Sequence, residues 1–205
     1  MKKPIIGITL RNVKIENRDI LKVNKSIVNY LIKYNAIPIF ITNIDDFKSI
    51  ANIFDGFIIP GGNNWENIDE EVLKYAYNNN VPVLGICAGM QLIGSFDGKN
   101  VIDNTIHIGN SNHQSTNLYV HDIYLNNGLL KNILNKDIIR VNSRHNDKIN
   151  FSNNFIVDAK SKDNIIEAIH LPNKTFILGV QWHPEDIIDE FSDKLFLYFI
   201  EQAKK

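Results

Sequence analysis

The only cysteine of the chain, Cys87, stands between two glycines in Gly85-Ile86-Cys87-Ala88-Gly89. The apolar run Val81 to Ile86 before it reads as a buried strand. Ala88, Met90, Gln91, Leu92 and Ile93 after it read as a helix. A nucleophile on such a strand-to-helix turn has the form Gly-x-Nuc-x-Gly. The glycines are needed because the nucleophile's backbone is strained and the strand and helix pass close to each other. The helix start directs unpaired N–H groups and a partial positive charge at the sulfur, which favours the reactive thiolate. Taken alone, a single cysteine reads equally well as a small buried apolar residue without chemistry.

A second candidate follows another apolar run. Thr175 to Val180 ends in Gln181-Trp182-His183-Pro184-Glu185. A histidine at that strand end can sit beside a thiol on a neighbouring strand end. Positions i and i+2 of an extended segment face the same side, and Pro184 fixes the turn between them. Glu185 can therefore hold one ring nitrogen while the other faces the thiol, the orienting role of a third triad member. Singly, His183 also reads as a satisfied histidine and Glu185 as a solvated carboxylate. Attack on an amide carbonyl creates an oxyanion, which needs preorganised N–H donors. The amide of Ala88 supplies one. Pro60-Gly61-Gly62, after the apolar run Gly56 to Pro60, can bring a second; by itself, Gly-Gly in a loop is usually just a turn.

These groups require strand ends brought together, and the first half of the chain alternates in the required way. Strands are expected at Pro4 to Leu10, Ile37 to Ile41 (its proline at a start or an edge), Gly56 to Pro60 and the run before Cys87. Helical spacing joins Ile20, Val23, Ile27, Leu31 and Tyr34. Asp45-Asp46 opens a short helix with Phe47, Ile50 and Phe54, and Asp69-Glu70-Glu71 opens one ending at Asn78-Asn79-Asn80. This predicts an α/β fold: a doubly wound, mostly parallel sheet flanked by helices. Ligand sites of such sheets lie at the carboxyl ends of the strands, where Gly61-Gly62 and Cys87 both fall. After Gly98 the pattern changes. Val101 to Asn117, with His107 and His113, is polar and irregular, a candidate lid. Strands at Leu118–Leu125, Ile138–Val141, Phe155–Ala159 and Ile165–Ile169 predict a smaller antiparallel or mixed sheet, and Phe191 to Gln202 a closing helix. No linker or repeat divides the chain, so residues 1–205 are expected to form one domain.

Composition narrows the class. The 205 residues carry 22 Lys and Arg against 23 Asp and Glu, a formal net charge of -1, which gives no nucleic-acid footprint and no attraction to an anionic membrane. One cysteine excludes an intrachain disulfide and a cysteine-cluster zinc site. No apolar run approaches the roughly 20 residues that span a bilayer. Met1-Lys2-Lys3-Pro4 leads into a strand with no signal region, so a cytoplasmic protein is expected.

Together, Gly85-Ile86-Cys87-Ala88-Gly89-Met90-Gln91, Gly179-Val180-Gln181-Trp182-His183-Pro184-Glu185 and Ile59-Pro60-Gly61-Gly62 resemble the nucleophile, His-x-Glu and oxyanion motifs of the class I glutamine amidotransferase family. With Asn142-Ser143-Arg144-His145, the last two most resemble its γ-glutamyl-γ-aminobutyrate hydrolase branch, peptidase C26. The resemblance covers nearly the whole chain and implies that fold. It implies that Cys87 attacks a glutamyl γ-carbonyl to form a thioester. His183 then moves the proton to the leaving nitrogen, Glu185 orients His183, and Gly62 and Ala88 bind the oxyanion. Gln91 would contact the glutamyl portion, and Ser143, Arg144 and His145 would border its α-amino and α-carboxylate groups. Neither metal nor cofactor is implied.

The branch's Ser-x-His-His-Gln is replaced by Ser143-Arg144-His145-Asn146-Asp147, which points away from γ-aminobutyrate as the leaving amine. With Arg144 as an added cation, a γ-glutamyl phosphoramidate on a nucleotide becomes a candidate, as in the γ-glutamyl-CDP-amidate hydrolases of capsule biosynthesis. Two alternatives remain: a glutaminase component feeding ammonia to a separate synthetase partner, and a non-catalytic binding protein on the same fold.

Overall fold

A computed structural model describes residues 2–96, 102–103 and 117–204. The chain opens with β1 (Ile5–Thr9), a ribbon of β2 (Arg11–Ile15) and β3 (Arg18–Lys22), and α1 (Lys25–Lys33). Then come β4 (Ile37–Ile41), α2 (Ile44–Ile50), β5 (Gly56–Ile59), α3 (Asn67–Asn79), β6 (Val83–Ile86) and α4 (Ala88–Gly94). The second half holds β7 (Ile102–Asp103), β8 (His121–Leu125), α5 (Leu129–Leu134), β9 (Ile138–Val141) and β10 (Lys148–Ile149). It closes with β11 (Ile156–Ser161), β12 (Ile166–His170), β13 (Ile177–Val180) and α6 (Glu190–Ala203).

Among the described residues, nine strands form one sheet in the order β4-β1-β5-β6-β13-β12-β11-β8-β9. The strands from β4 to β13 pair in parallel. From β13 outward the pairing is antiparallel. The parallel block expected from the alternation is therefore present, and the antiparallel strands extend its far side. Two small antiparallel pairs, β2 with β3 and β7 with β10, stand apart. Pro38 lies on β4, the edge strand, where its missing N–H costs no ladder bond.

Side chains leave a strand alternately to its two faces, and two core layers result. Ile6 and Ile8 of β1, Ile58 of β5, Leu84 and Ile86 of β6, and Leu178 and Val180 of β13 pack with α1, α5 and α6. Phe57 and Ile59 of β5, Val83 of β6 and Ile177 of β13 pack with α2, α3 and α4. The near-continuous apolar runs of the sequence are strands covered on both sides.

One element differs from expectation. Ile20 and Val23 do not belong to the helix. Glu16 and Asn17 both have positive φ, 47° and 63°, the conformation of a type I′ hairpin turn, whose twist suits paired strands. That turn sets Val13 opposite Ile20 and Arg11 opposite Lys22. The helix begins only after Asn24, whose side chain accepts from the Ser26 amide at 3.0 Å. Apolar residues three or four apart on an exposed ribbon imitate a helical stripe. Of the candidate lid Val101 to Asn117, all but 102–103 and 117 lie outside the described residues. Among the described residues no helix is long and apolar enough to cross a membrane.

The elbow at β6 and α4 is the tightest point of the sheet. A Cβ on Gly89 would sit far inside contact distance of the Ile59 carbonyl oxygen on β5, a backbone atom with no freedom to move. A Cβ on Gly94, at the other end of the same helix, meets side-chain atoms alone, Ile149 Cδ1 at 3.0 Å and Ile169 Cδ1 at 3.4 Å. Gly89→Ala should therefore destabilise the protein by about 3 kcal/mol or more, and Gly94→Ala by no more than about 1 kcal/mol. Urea unfolding of the two variants separates them. Equal losses would mean that the close approach at the elbow does not constrain the fold.

Candidate active site

Cys87 occupies the turn between β6 and α4 with φ 51° and ψ -104°, a conformation that a non-glycine residue holds only when its surroundings enforce it. The surroundings do. Its amide donates to the Val180 carbonyl at 2.8 Å, and its carbonyl accepts from Gln91 at 3.1 Å. The first bond locks the elbow to the end of β13. The second makes Cys87 the N-cap of α4, so the Ala88 amide belongs to a first turn that has no intrahelical acceptor. The thiol is nearly buried, 5% exposed, and Gln181 Nε2 approaches Sγ at 3.6 Å.

His183 follows β13 by three residues. Its Nδ1 donates to Glu185 Oε1 at 2.8 Å, and Glu185 is buried. On its other side the ring lies near Cys87, both standing against the same face of Gly61. Burial alone would push the imidazole towards the neutral form. Its interactions with Cys87 and Glu185, with the negative charge of both, outweigh burial and raise its pKa from 6.5 to about 10. The protonated form of His183 is thereby favoured. Asn142 fixes its backbone from both sides: Nδ2 donates to the His183 carbonyl at 2.7 Å, and Oδ1 accepts from its amide at 2.8 Å. The i, i+2 spacing of His183 and Glu185 thus brings them together. The segment Pro184–Asp186 that carries Glu185 is a 3-10 turn opened by its proline, not a strand.

The third strand end, β5, brings Gly61 and Gly62. A Cβ on Gly61 would meet His183 Cε1 at 2.5 Å and Cys87 Cβ at 3.2 Å, so only glycine lets this loop lie against the pair. Arg11, at the start of β2, holds the loop from behind. Its Nε donates to the Gly61 carbonyl at 3.2 Å and Nη2 to the Pro60 carbonyl. Its Nη1 pairs with Asp69 at 2.7 Å in a buried ion pair. A planar trans peptide points its C=O and the next N–H in opposite directions. Binding the Gly61 carbonyl therefore turns the Gly62 N–H away from the guanidinium. Asp69 also accepts from the Glu66 amide at 2.7 Å, closing a capping box at the start of α3.

The remaining residues singled out from the sequence fall in different places. Arg144 lines the cleft with its guanidinium bound to Asp186, which also accepts from Asn24 Nδ2 at 2.5 Å. Gln91, Ser143 and His145 are buried and do not line the cleft. Gln91 Nε2 lies 3.4 Å from Gln181 Oε1 and 3.4 Å from the Asp147 carbonyl. His145 Nδ1 lies 2.9 Å from the Asp147 carbonyl. His107 and His113 are outside the described residues. Sequence reasoning passed over Arg11, Asn142 and Gln181 as site residues. Arg11 carried one usable signal, an arginine just past the carboxyl end of a buried strand. The others act through contacts between distant segments that no spacing reveals.

The described metal-capable group, His183, Glu185 and Asp186, has ligand atoms within 4.8 Å of one another. Each is already engaged: His183 with Glu185, and Asp186 with Arg144 and Asn24. As a set these residues fit a proton relay better than a metal site. They face an open cleft of about 1100 Å3 bounded by Cys87, His183, Gly61, Gly62 and the β2–β3 ribbon.

The peptidase C26 family model matches residues 66–185, more than half of the chain. The chain belongs to the peptidase C26 family. Among its relatives is a glutamine amidotransferase-like protein of Rickettsia prowazekii, 27% identical, with 99% of both chains covered. A glutamine-hydrolysing GMP synthase component from Picrophilus torridus is 31% identical over 74% of this chain and 78% of its own. The fold matches the glutaminase domain of Trypanosoma brucei CTPS with bound acivicin at TM-score 0.71 and 18% identity, over 98% of this chain and 94% of that one. This peptidase C26 member is of the class I glutamine amidotransferase type, and its relatives point to an amide-hydrolysing enzyme.

Two outcomes test the site. Arg11→Gln leaves Asp69 buried without its cation, so stability should fall by about 3 kcal/mol or more in urea unfolding; an unchanged midpoint would remove Arg11 as the clamp. The raised pKa of His183 sets a pH window. Its stabilising contribution is complete below the unfolded value of 6.5 and is lost as pH rises through about 10. The stability gap between the wild type and Glu185→Gln should therefore be widest near pH 6 and shrink as pH approaches 10. A gap constant with pH would contradict the imidazolium.

Proposed function

We propose that the protein is a stand-alone cysteine hydrolase that cleaves a γ-glutamyl amide through a γ-glutamyl thioester. The observation that carries this reading is the single imidazole that hydrogen-bonds Glu185 and stands beside Cys87 at adjoining strand ends. Cys87 Sγ attacks the γ-carbonyl carbon, and His183 holds the proton taken from the thiol. The oxyanion that forms is stabilised by the amides of Ala88 and Gly62. Losing one such donor costs roughly 100- to 1,000-fold in rate. As the C–N bond breaks, His183 passes the proton to the leaving nitrogen. A water, deprotonated by the same imidazole, then attacks the thioester, releases glutamate and restores the thiol. Glu185 keeps the ring in register throughout, and Asn142 keeps the backbone that carries it. Arg144 borders the glutamyl portion from the cleft, while Gln91, Ser143 and His145 are buried and do not line it.

The candidate substrate is a γ-glutamyl phosphoramidate nucleotide such as γ-glutamyl-CDP-amidate. The open cleft beside the thiol supports a leaving group larger than ammonia. A second reading has its own support. The relative in Picrophilus torridus is by name part of a glutamine-hydrolysing synthase, and a glutaminase of this kind would pass ammonia from glutamine to a separate synthetase.

Glutamate release by the purified protein decides between them, with Cys87→Ala as the control and glutamine, γ-glutamyl-γ-aminobutyrate and a γ-glutamyl phosphoramidate nucleotide as substrates. Turnover of a non-glutamine compound at least tenfold faster than that of glutamine, abolished in Cys87→Ala, is expected. Slow turnover of glutamine alone would favour the glutaminase reading. No glutamate from any substrate and no acylation of Cys87 would overturn both.

A further inference from the structure

The cleft in front of Cys87 is larger than removal of ammonia requires. Its volume of about 1100 Å3 reaches the upper end of the roughly 300–1,000 Å3 typical of sites that enclose a whole small molecule. Most of its charged groups are engaged within the protein. Arg11 is bound to Asp69 and two carbonyls, Arg144 to Asp186, and Glu185 to His183. Glu66 accepts from the Asn12 amide at 3.2 Å and caps α3.

Lys22 and Lys25 are different. Both line the cleft, and neither has a carboxylate partner among the described residues. Lys25 is the first residue of α1, whose first turn has no acidic residue. A cation there opposes the positive end of the helix dipole, so it works against the helix that carries it. Such a local conflict is expected where a residue serves a ligand. Lys22 stands opposite Arg11 at the base of the ribbon. Alternation puts it on the same ribbon face as Val13, Ile15 and Ile20. Val13 lines the cleft, while Ile15 and Ile20 are 50% and 37% exposed. The mouth of the cleft thus joins two cations without carboxylate partners to an apolar strip, beside a catalytic centre whose own charges are neutralised.

We infer that Lys22 and Lys25 form the subsite for the leaving portion of the substrate. That portion carries phosphoryl-type negative charge between the two ammonium groups and lays its apolar part along Val13 and Ile20. This rests on the hydrolase reading and adds to it the residues that choose the leaving group.

Two measurements on the full-length protein test it. First, Cys87→Ala is titrated calorimetrically with inorganic pyrophosphate, which needs no turnover. Binding should be present and should weaken roughly tenfold or more when Lys22→Gln and Lys25→Gln are added. No binding, or binding indifferent to both lysines, overturns the subsite whatever the enzyme hydrolyses. Second, the otherwise wild-type protein and its Lys22→Gln/Lys25→Gln variant are assayed on γ-glutamyl-anilide and on its 4-phosphate ester. The ratio of kcat/KM for the charged over the neutral substrate should exceed one and fall roughly tenfold in the variant, chiefly through KM. An unchanged ratio overturns the assignment. If pyrophosphate binds through the lysines while no γ-glutamyl compound is cleaved, the anion subsite stands and the hydrolase reading fails.

Discussion

Everything at the centre of this protein depends on how closely three strand ends and one helix start approach one another. The N-terminus of α4 lies against the backbone of β5 at Gly89, and the loop after β5 lies against His183 at Gly61. Methyl groups at either place would separate the nucleophile from its base. The strained backbone of Cys87 is the other face of this constraint. A turn with so little room pushes the side chain out at the carboxyl edge of the sheet, where the other two ends converge. The strain persists because the bond to Val180 and the helix that follows hold it on both sides.

Around that centre the polar groups act in two tiers. Those that act in the proposed reaction are few: a thiol, an imidazole and two backbone amides. Those holding them in place are more numerous and mostly buried. Arg11 with Asp69 fixes the oxyanion loop, Asn142 fixes the His183 backbone, and Gln181 and Gln91 pack behind the thiol. Each supporting contact joins segments far apart in the chain, so the site forms only when the whole sheet has formed. A buried ion pair such as Arg11–Asp69 contributes little net stability compared with apolar packing. Its value is directional, since it fixes which way two carbonyls point.

The electrostatics follow the same division. Close to the thiol, positive and negative groups alternate and are paired. Farther out, on the ribbon and the first turn of α1, positive charge accumulates without carboxylate partners among the described residues. In the proposed reading recognition and chemistry are thus separated along one cleft, which is lined both by the sheet edge and by a two-stranded ribbon standing outside the sheet.

The sequence by itself determined the parallel half of the fold and singled out Cys87, His183, Glu185 and Gly62, which the fold brings to one cleft. Fully covered strands leave continuous apolar runs, and the reacting residues must directly follow them, so both signals are local. Pro38 was expected at a strand start or an edge because it lacks an N–H, and it lies on the edge strand. Only the tertiary structure decided that β13 inserts beside β6, that the antiparallel strands continue the parallel sheet, and that residues 11–22 form a ribbon. The ribbon was hidden because exposed apolar residues at spacing three and four satisfy a helical pattern as well as a hairpin. Its deciding feature is a pair of left-handed residues, Glu16 and Asn17, which no apolar period encodes. Arg11, Asn142 and Gln181 were hidden because they act on atoms of distant segments. Only the folded chain brings Arg11 to Gly61, or Asn142 to His183.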